Sequence, residues 1–229
     1  MLDIDIYTKK FEEMGYSGPH LEALKLIGCN KRVLDVGCST GYLIKAIHEI
    51  LGGTVDGVEV NPEAAKLAAQ FAGKIYVGSI EEGEVVRQLH DTYDVLLFMD
   101  VLEHLKDPLS VLKNLRPLLS EEGYLIASVP NIANWRIRLS LFMGKFEYQE
   151  SGLLDKGHLR FFTLKTLKKL FDEAGYRIVY LDFSFGDRPS ILKNISRRPK
   201  NYLKAIFKKL ACFFPGLFAN QFIVKAVKR

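Results

Sequence analysis

The feature that most constrains this chain is an alternation of short apolar runs with amphipathic segments of helical spacing. The apolar runs are 31–36, 54–60, 74–78, 93–99 and 123–129. Two intervening segments begin with a capping residue followed by proline, Asn61-Pro62 and Asp107-Pro108, and the second predicts a helix running toward Leu119. Strands separated by helices form βαβ units, so the pattern predicts a doubly wound α/β fold with helices on both faces of a parallel sheet.

Two further strands are predicted after a break. A helix at 163–174 has Thr163 as its N-cap and ends before Gly175, and apolar runs at 176–185 and 220–227 follow it. The whole chain, 1–229, then forms one domain with seven strands. Two insertions remain: an aromatic segment at 131–162, which suits a lid or a wall for an acceptor molecule, and a basic amphipathic segment at 187–219.

Composition excludes several classes of protein. No run of about 18 apolar residues is present, so no helix is expected to span a bilayer. The first residues include Asp3 and Asp5, whereas a signal peptide begins with positive charge. Cys29, Cys38 and Cys212 lack the spacing of metal ligands, and no metal is predicted. We therefore expect a cytoplasmic protein that is soluble or peripheral.

The charge of the chain is divided unevenly. The first 187 residues carry a net charge of −6, while the last 42 carry +11 and no acidic residue. Residues 200–214 have the spacing of an amphipathic helix. Two interpretations stay open: residues 197–214 contact an anionic membrane, or the apolar stripe packs on the body as a connector between the last two strands.

The loop after the first strand points to a nucleoside ligand. Gly37 and Gly41 allow the backbone to turn sharply and approach a ligand closely. Ser39 and Tyr42 occupy positions where a dinucleotide fingerprint needs glycine, and no Gly-Lys-Ser/Thr of a P-loop is present. Glu59, at the end of the second strand and 22 residues after Gly37, is placed to accept both hydroxyls of a ribose.

The chain contains the motifs Val33–Gly41, Val55–Glu59 and Tyr93–Leu105 in this order. Together they resemble the class I S-adenosylmethionine-dependent methyltransferases. The similarity is greatest to the group of ubiquinone-type and cell-surface-glycan methyltransferases, and it covers roughly 21–185. The resemblance implies a Rossmann-like sheet whose seventh strand is antiparallel. It also implies S-adenosylmethionine as the cofactor and S-adenosylhomocysteine as the product.

The resemblance implies a role for each residue that matches the family pattern. Gly37, Cys38, Ser39 and Gly41 would pass under the methionine part of the cofactor, with Asp35 near its amino group. Glu59 would hold the ribose and Val60 would face the adenine, whose edge would meet Ser79 and Ile80. The family often has an acid where Ser79 stands, so Glu81 or Glu82 is an alternative. Met99 and Asp100 would line the transfer site.

The candidate bases, needed only where the acceptor loses a proton, are His158, His104 and Asp100. Asp100, Glu103 and His104 have the i, i+3, i+4 spacing that could converge on a divalent metal, but a capping or orienting hydrogen bond is the favoured interpretation. His158 belongs to 157–163, a stretch that lies near the acceptor site in glycan-type relatives. Local structure is the competing explanation for it.

The sequence therefore favours an enzyme that methylates an oxygen of a small molecule, a sugar or a lipid-linked glycan. RNA methylation and a non-catalytic S-adenosylmethionine-binding module are the alternatives. The basic segment slightly favours RNA. The acidic body disfavours it, as does the lack of an Asn/Asp-Pro-Pro-aromatic sequence after the fourth strand, which is associated with amino methylation of bases.

Overall fold

A computed structural model describes residues 15–16, 18–184 and 213–229. The aromatic residues Tyr7, Phe11 and Tyr16 suggest that the N-terminal segment covers the cofactor, but of this segment only residues 15–16 are described. Most of the basic segment also lies outside the described residues, including all but the last two residues of the predicted helix at 200–214. Neither prediction is tested by the structure.

Seven strands form one sheet in the order β3-β2-β1-β4-β5-β7-β6. The strands are β1 Arg32–Val36, β2 Thr54–Glu59, β3 Ile75–Val77, β4 Tyr93–Met99, β5 Leu119–Pro130, β6 Tyr176–Ser184 and β7 Gln221–Lys228. Strands β1 to β5 are parallel, whereas β7 runs antiparallel to both β5 and β6. The predicted fold class, with its antiparallel seventh strand, is confirmed.

Helices cover both faces of the sheet. They are α1 Gly18–Ile27, α2 Tyr42–Leu51, α3 Pro62–Ala68, α4 Gly83–Gln88, α5 Pro108–Leu115, α6 Trp135–Phe142, α7 Leu164–Glu173 and α8 Pro215–Phe218. Alternate residues of the central strands enter two separate apolar cores: Leu34 and Phe98 belong to one, and Val33 and Leu97 to the other. This burial on both faces explains why the strands appear in the sequence as continuous apolar runs.

The strand order reverses between β1 and β4, which pair from Val33↔Val95 to Val36↔Phe98. In open parallel sheets, ligands bind in the crevice at such a reversal, beyond the carboxyl ends of the strands. The loops that begin at Gly37 and at Asp100 therefore leave the sheet side by side.

Two predicted boundaries were wrong around α5 and β5. The helix ends at Leu115, and a 3₁₀ turn follows at Arg116–Leu118, because Pro117 has no N–H to continue the helix. Strand β5 begins at Leu119 rather than near residue 123. Its register against β4 shifts between Tyr93 and Val95, and this irregularity separates the two stretches of pairing.

The segment 131–162 leaves the sheet and returns to the same point. Its two ends meet in a bridge between Asn131 and Phe162, and the Ile132 N–H donates to the Phe162 carbonyl at 3.0 Å. Helix α6 occupies its first part, and the chain then returns without regular structure as far as α7. Among residues 18–184 and 213–229, no helix combines the length and the apolar character that crossing a membrane requires.

Gly41 offers a test of the packing between the first loop and α3. It has a φ of +80°, and a Cβ there would lie 2.7 Å from the Ala68 Cα. Gly144 has a similar φ of +71° with no atom within 4 Å of a Cβ. We expect Gly144→Ala to lower the free energy of unfolding by about 1 kcal/mol through backbone strain alone, and Gly41→Ala by about 3 kcal/mol because steric overlap is added. Urea unfolding measures both, and equal losses would contradict the close approach.

Candidate functional site

A cavity of about 430 Å³ opens at the reversal of strand order, within the usual range for small-molecule sites. Six of the residues predicted to bind the cofactor line it: Gly37, Glu59, Val60, Ser79, Ile80 and Asp100. Val101 and Leu105 also line it; both belong to the Tyr93–Leu105 motif, but the sequence assigned a site role to neither. The structure thus brings together the ends of β1, β2, β3 and β4 around one space.

The loop after β1 holds an unusual backbone. Gly37, Ser39 and Gly41 all have positive φ, at +74°, +49° and +80°. A Cβ on Gly37 would lie 2.6 Å from a methyl carbon of Val101, so only glycine permits this approach of two loops. Ser39 adopts the left-handed region that glycine prefers, which costs of order 1 kcal/mol and shows that the loop is held from outside.

The carboxylate of Glu59 provides that hold. One of its oxygens accepts from the Ser39 N–H and the other from the Asn61 N–H, each at 2.8 Å. The side chain is buried at the edge of the cavity. Because each carboxylate oxygen has two lone pairs, Glu59 can still accept hydrogen bonds from a ribose. The sequence predicted a ligand role for Glu59 but not the hydrogen bonds that join the two loops.

Five of the residues predicted to bind the cofactor are not among those that line the cavity: Asp35, Cys38, Ser39, Gly41 and Met99. Cys38 is buried in the core against Gly57, and burial raises the pKa of its thiol well above the ordinary range. Its backbone N–H donates to the Val58 carbonyl at 3.1 Å, so its place in the loop is structural. Met99 is buried at the end of β4.

Asp35 is a buried acid with an unsatisfied atom. Its Oδ2 has no hydrogen-bond partner, although the residue is almost fully buried. Burial, together with the nearby Glu59 carboxylate, raises the pKa of Asp35 to about 8. An orphaned buried acid beside a ligand cavity fits a cationic group such as the ammonium of S-adenosylmethionine, which would satisfy both its charge and its lone pairs.

The loop after β3 forms the side of the cavity that was expected to face adenine. The Ser79 hydroxyl accepts from the Glu81 N–H at 3.2 Å, a local turn. Glu81 is engaged elsewhere, because one of its oxygens accepts from the Asp107 N–H at 2.8 Å. It still lines the cavity, whereas Glu82 is not among the lining residues. Of the two acids offered as substitutes at this position, Glu81 is the better placed.

A second cavity, of about 340 Å³, lies beside the first. Its walls come from the ends of β4, β5 and β7 and from the returning part of the segment 131–162: Asp100, Glu103, His104, Pro130, Gly152, Leu153, Asp155, His158, Asn220 and Gln221. Asp100 and His104 line both cavities. All three predicted catalytic candidates therefore lie at one place.

Asp100 is fixed in a strained conformation, with a φ of +55°. Its Oδ1 accepts from the Ser128 hydroxyl at 2.6 Å and from the Gln221 amide at 2.9 Å, while its N–H donates to the Ser128 Oγ at 3.0 Å. These bonds hold one carboxylate oxygen and leave the other for the cavities. No sequence signal pointed to Ser128 or Gln221.

His104 and His158 stack edge to face, with ring centroids 4.9 Å apart. The His104 Nδ1 lies 3.0 Å from the Gly157 carbonyl oxygen. Because a carbonyl only accepts, Nδ1 carries the hydrogen and Nε2 keeps its lone pair. Burial, with a smaller effect of His104, lowers the pKa of His158 and favours its neutral form.

Glu103 is buried below the two histidines, and neither of its carboxylate oxygens has a hydrogen-bond partner. Burial, with a contribution from Asp100, raises the pKa of Glu103 to about 9, so it is protonated at neutral pH. Ligand atoms of Glu103, His104 and His158 lie within 4.8 Å of one another, close enough to share a cation. The spacing in the sequence had suggested Asp100 in place of His158.

A polar cluster of Tyr16, His20 and Tyr42 lies beside the first loop; the sequence suggested Tyr16 as part of a cover for the cofactor but did not predict its contacts. The Tyr42 hydroxyl lies 3.0 Å from the His20 Nε2, and Tyr16 stacks on the Tyr42 ring and donates to its carbonyl oxygen. Burial lowers the pKa of His20 against a smaller opposing effect of Asp100. The start of α1 is thus packed on the start of α2, next to the glycine loop.

Comparison with known proteins agrees with this geometry. A family model described as a methyltransferase domain matches residues 11–181 of the chain, well over half of it. The chain belongs to this family. The resemblance to methyltransferases seen in the sequence is confirmed at the level of the family.

The curated relatives are ubiquinone biosynthesis O-methyltransferases. The one from Aliivibrio fischeri is 33% identical over 152 residues, which cover 63% of this chain and 63% of the relative. The one from Haemophilus ducreyi is 33% identical over 116 residues, covering 44% of this chain and 46% of the relative. In these alignments the chain therefore spans between about half and three fifths of the relatives' own length.

Solved structures share the fold at low sequence identity. A SAM-dependent methyltransferase from Archaeoglobus fulgidus has a TM-score of 0.61 and 19% identity, covering 99% of this chain and 95% of its own. An O-methyltransferase from a polyketide multienzyme of Brevibacillus brevis, solved with S-adenosylhomocysteine, has a TM-score of 0.54 and 16% identity. It covers 86% of this chain and 66% of its own.

The pKa of Asp35 leads to a test of the cofactor cavity. If a ligand ammonium binds beside Asp35, the carboxyl must ionise, so S-adenosylhomocysteine binding at neutral pH should release up to about one proton. Because ionisation is required, affinity should rise as the pH increases toward about 8. Titration calorimetry in buffers of different ionisation enthalpy counts the protons.

Asp35→Asn should abolish this proton release and weaken binding. Glu63→Gln, which alters an exposed acid on α3, should leave both unchanged and serves as the control. A proton release that persists in Asp35→Asn would show that another group titrates and would remove Asp35 from the ammonium site.

Proposed function

We propose that the chain transfers the methyl group of S-adenosylmethionine to an oxygen atom of a small molecule, a sugar or a lipid-linked glycan. The observation that carries the proposal is the junction of two cavities at Asp100 and His104. A methyltransferase needs one site for the donor and one for the acceptor, with the reacting atoms in line between them. The names of the curated relatives support oxygen as the methylated atom.

The larger cavity is proposed as the donor site. When bound, S-adenosylmethionine supplies a methyl group that is attached to a positively charged sulfur. After transfer of the methyl group, this sulfur belongs to a neutral thioether, which is the leaving group. Glu59 binds the ribose hydroxyls and Asp35 the ammonium, while Gly37 lets the backbone lie directly against the ligand. The contribution of these residues is alignment and exclusion of water, which together lower the barrier by several kcal/mol.

The smaller cavity is proposed as the acceptor site. An acceptor hydroxyl must lose its proton as the new bond forms, and the His104 Nε2 is available to take it because Nδ1 donates to the Gly157 carbonyl. His158 offers an unpartnered Nδ1 as a hydrogen-bond acceptor, and protonated Glu103 offers a donor. Asp100, held by Ser128 and Gln221, lies at the boundary between donor and acceptor.

A transferred-label assay tests the proposal directly. The purified chain is incubated with S-adenosylmethionine labelled in the methyl group and with separate pools of glycans, quinone precursors and RNA. Label in a small molecule or glycan at an alkali-stable ether supports the proposal. Label in RNA supports the alternative enzyme. Cofactor binding by calorimetry with no label transferred to any pool supports a non-catalytic binding module.

His104→Gln tests the assignment of the base. Glutamine keeps hydrogen-bonding capacity near the ring position but cannot take a proton at neutral pH. We expect turnover to fall by about 10²–10⁴-fold with S-adenosylhomocysteine affinity within about twofold of the original. His90→Gln, at an exposed position, is the control. Unchanged turnover in His104→Gln would transfer the role to His158 or Asp100.

A further inference from the structure

The second half of α6 and the turn after it expose large apolar side chains. Phe142 is 88% exposed, and Leu139, Leu141, Met143 and Phe146 are exposed as well. The residue that the helix buries is Ile137. Soluble proteins tolerate single apolar residues at the surface, but a contiguous group of this size usually marks a binding surface.

Positive charge accompanies these apolar side chains. Arg136, Arg138 and Lys145 lie in the same stretch, and no acidic residue occurs from 132 to 146. We call these side chains the insertion surface: Arg136, Arg138, Leu139, Leu141, Phe142, Met143, Lys145 and Phe146. An apolar helix face with a basic margin is typical of helices that lie in the interface of an anionic bilayer.

The insertion surface is presented by a fixed element. Asn134, the N-cap of α6, is fully buried, and its amide donates to the Ala219 carbonyl and to the Asn220 side chain, each at 2.9 Å. The Asn131 amide donates to the same Ala219 carbonyl at 2.8 Å. Helix α6 is thereby tied to the start of β7. The helix is therefore already ordered before it binds another surface, so binding does not include the entropy cost of ordering it.

The insertion surface also adjoins the smaller cavity through a row of aromatic rings. Phe146 contacts both Tyr148 and Phe161, with centroid distances of 5.5 and 6.4 Å. Phe161 contacts His158 at 6.3 Å, and His158 contacts His104. The insertion surface is therefore connected through these rings to the cavity that contains the histidine pair.

We propose that the insertion surface docks on an anionic lipid bilayer, with Phe142 and Met143 inserted among the headgroups and the three cations against lipid phosphates. A second copy of the chain is a poorer occupant, because a two-fold contact would place this basic surface against itself. The proposal does not depend on the methyl acceptor or on the basic segment at 187–219. It concerns residues of the described structure alone.

The single tryptophan of the chain makes the test specific, because it is Trp135, the first residue of α6. Emission from Trp135 is recorded with vesicles of phosphatidylcholine alone and with equal amounts of phosphatidylcholine and phosphatidylglycerol. Docking is expected to shift the emission to shorter wavelength with the anionic vesicles and much less with phosphatidylcholine. Binding through the basic segment alone would leave this emission unchanged.

The variant Phe142→Ser/Met143→Ser should lower the partition coefficient for anionic vesicles about tenfold or more and abolish the shift, since two apolar side chains lose their burial in lipid. Lys145→Glu should weaken binding to anionic vesicles alone. Leu67→Ser changes a similarly exposed leucine on α3 and should alter neither quantity. Circular dichroism and S-adenosylhomocysteine affinity confirm that each variant is folded.

Three results would overturn the proposal. The first is sedimentation with anionic vesicles without a change in Trp135 emission, which locates the contact elsewhere. The second is an emission shift that grows with protein concentration in the absence of lipid, which identifies a second copy as the occupant. The third is vesicle binding by Phe142→Ser/Met143→Ser equal to that of the original chain.

Discussion

The candidate site depends on one buried carboxylate that joins two loops. Glu59 accepts one backbone N–H from the loop after β1 and one from the loop after β2. Ser39 is thereby kept in a left-handed conformation that its side chain disfavours, and the glycine loop stays open around the larger cavity. The same carboxylate contributes to the raised pKa of Asp35. Glu59, the residue at the end of β2 that is proposed to bind the ligand, therefore also stabilises the loops that form the cavity.

Asp100, a second strained residue, follows β4, the strand next to β1 where the strand order reverses. It is also held by hydrogen bonds to residues distant in the sequence. Its two side-chain partners come from strands that are distant in sequence, Ser128 from β5 and Gln221 from β7. Because β7 is antiparallel, its first residue lies at the edge where the parallel strands end, opposite Pro130. The antiparallel seventh strand thus completes the sheet and also places the Gln221 amide beside the Asp100 carboxylate, which lines both cavities.

The sequence predicted most of what depends on local patterns. The strands, the helix caps at Asn61 and Asp107, the glycine loop and Glu59 are encoded in short stretches, and each lies where it was expected, apart from the earlier start of β5. What the sequence did not predict arises from pairing across long separations. Gln221 reaches Asp100 only through the order of strands, and the pairing of His104 with His158 requires the segment 131–162 to fold back on itself. The helix at 108–115 was predicted too long because the apolar pattern continues to Leu119, whereas Pro117 cannot continue the helix.

The electrostatics of the site distinguish between kinds of ligand. Asp35, Glu59, Asp100 and Glu103 surround the two cavities, and within residues 18–184 and 213–229 none of them forms an ion pair. A lining of carboxyl groups disfavours a pyrophosphate, which glycine loops bind in dinucleotide enzymes, and suits a cation, which favours ionisation of the buried Asp35 carboxyl as it binds. In the proposed donor site, a sulfonium nucleoside with a free ammonium would carry its positive charge near these acids. Its product is less positive, because the sulfur becomes neutral when the methyl group leaves. We therefore expect the reactant to bind more tightly than the product, which favours release after transfer.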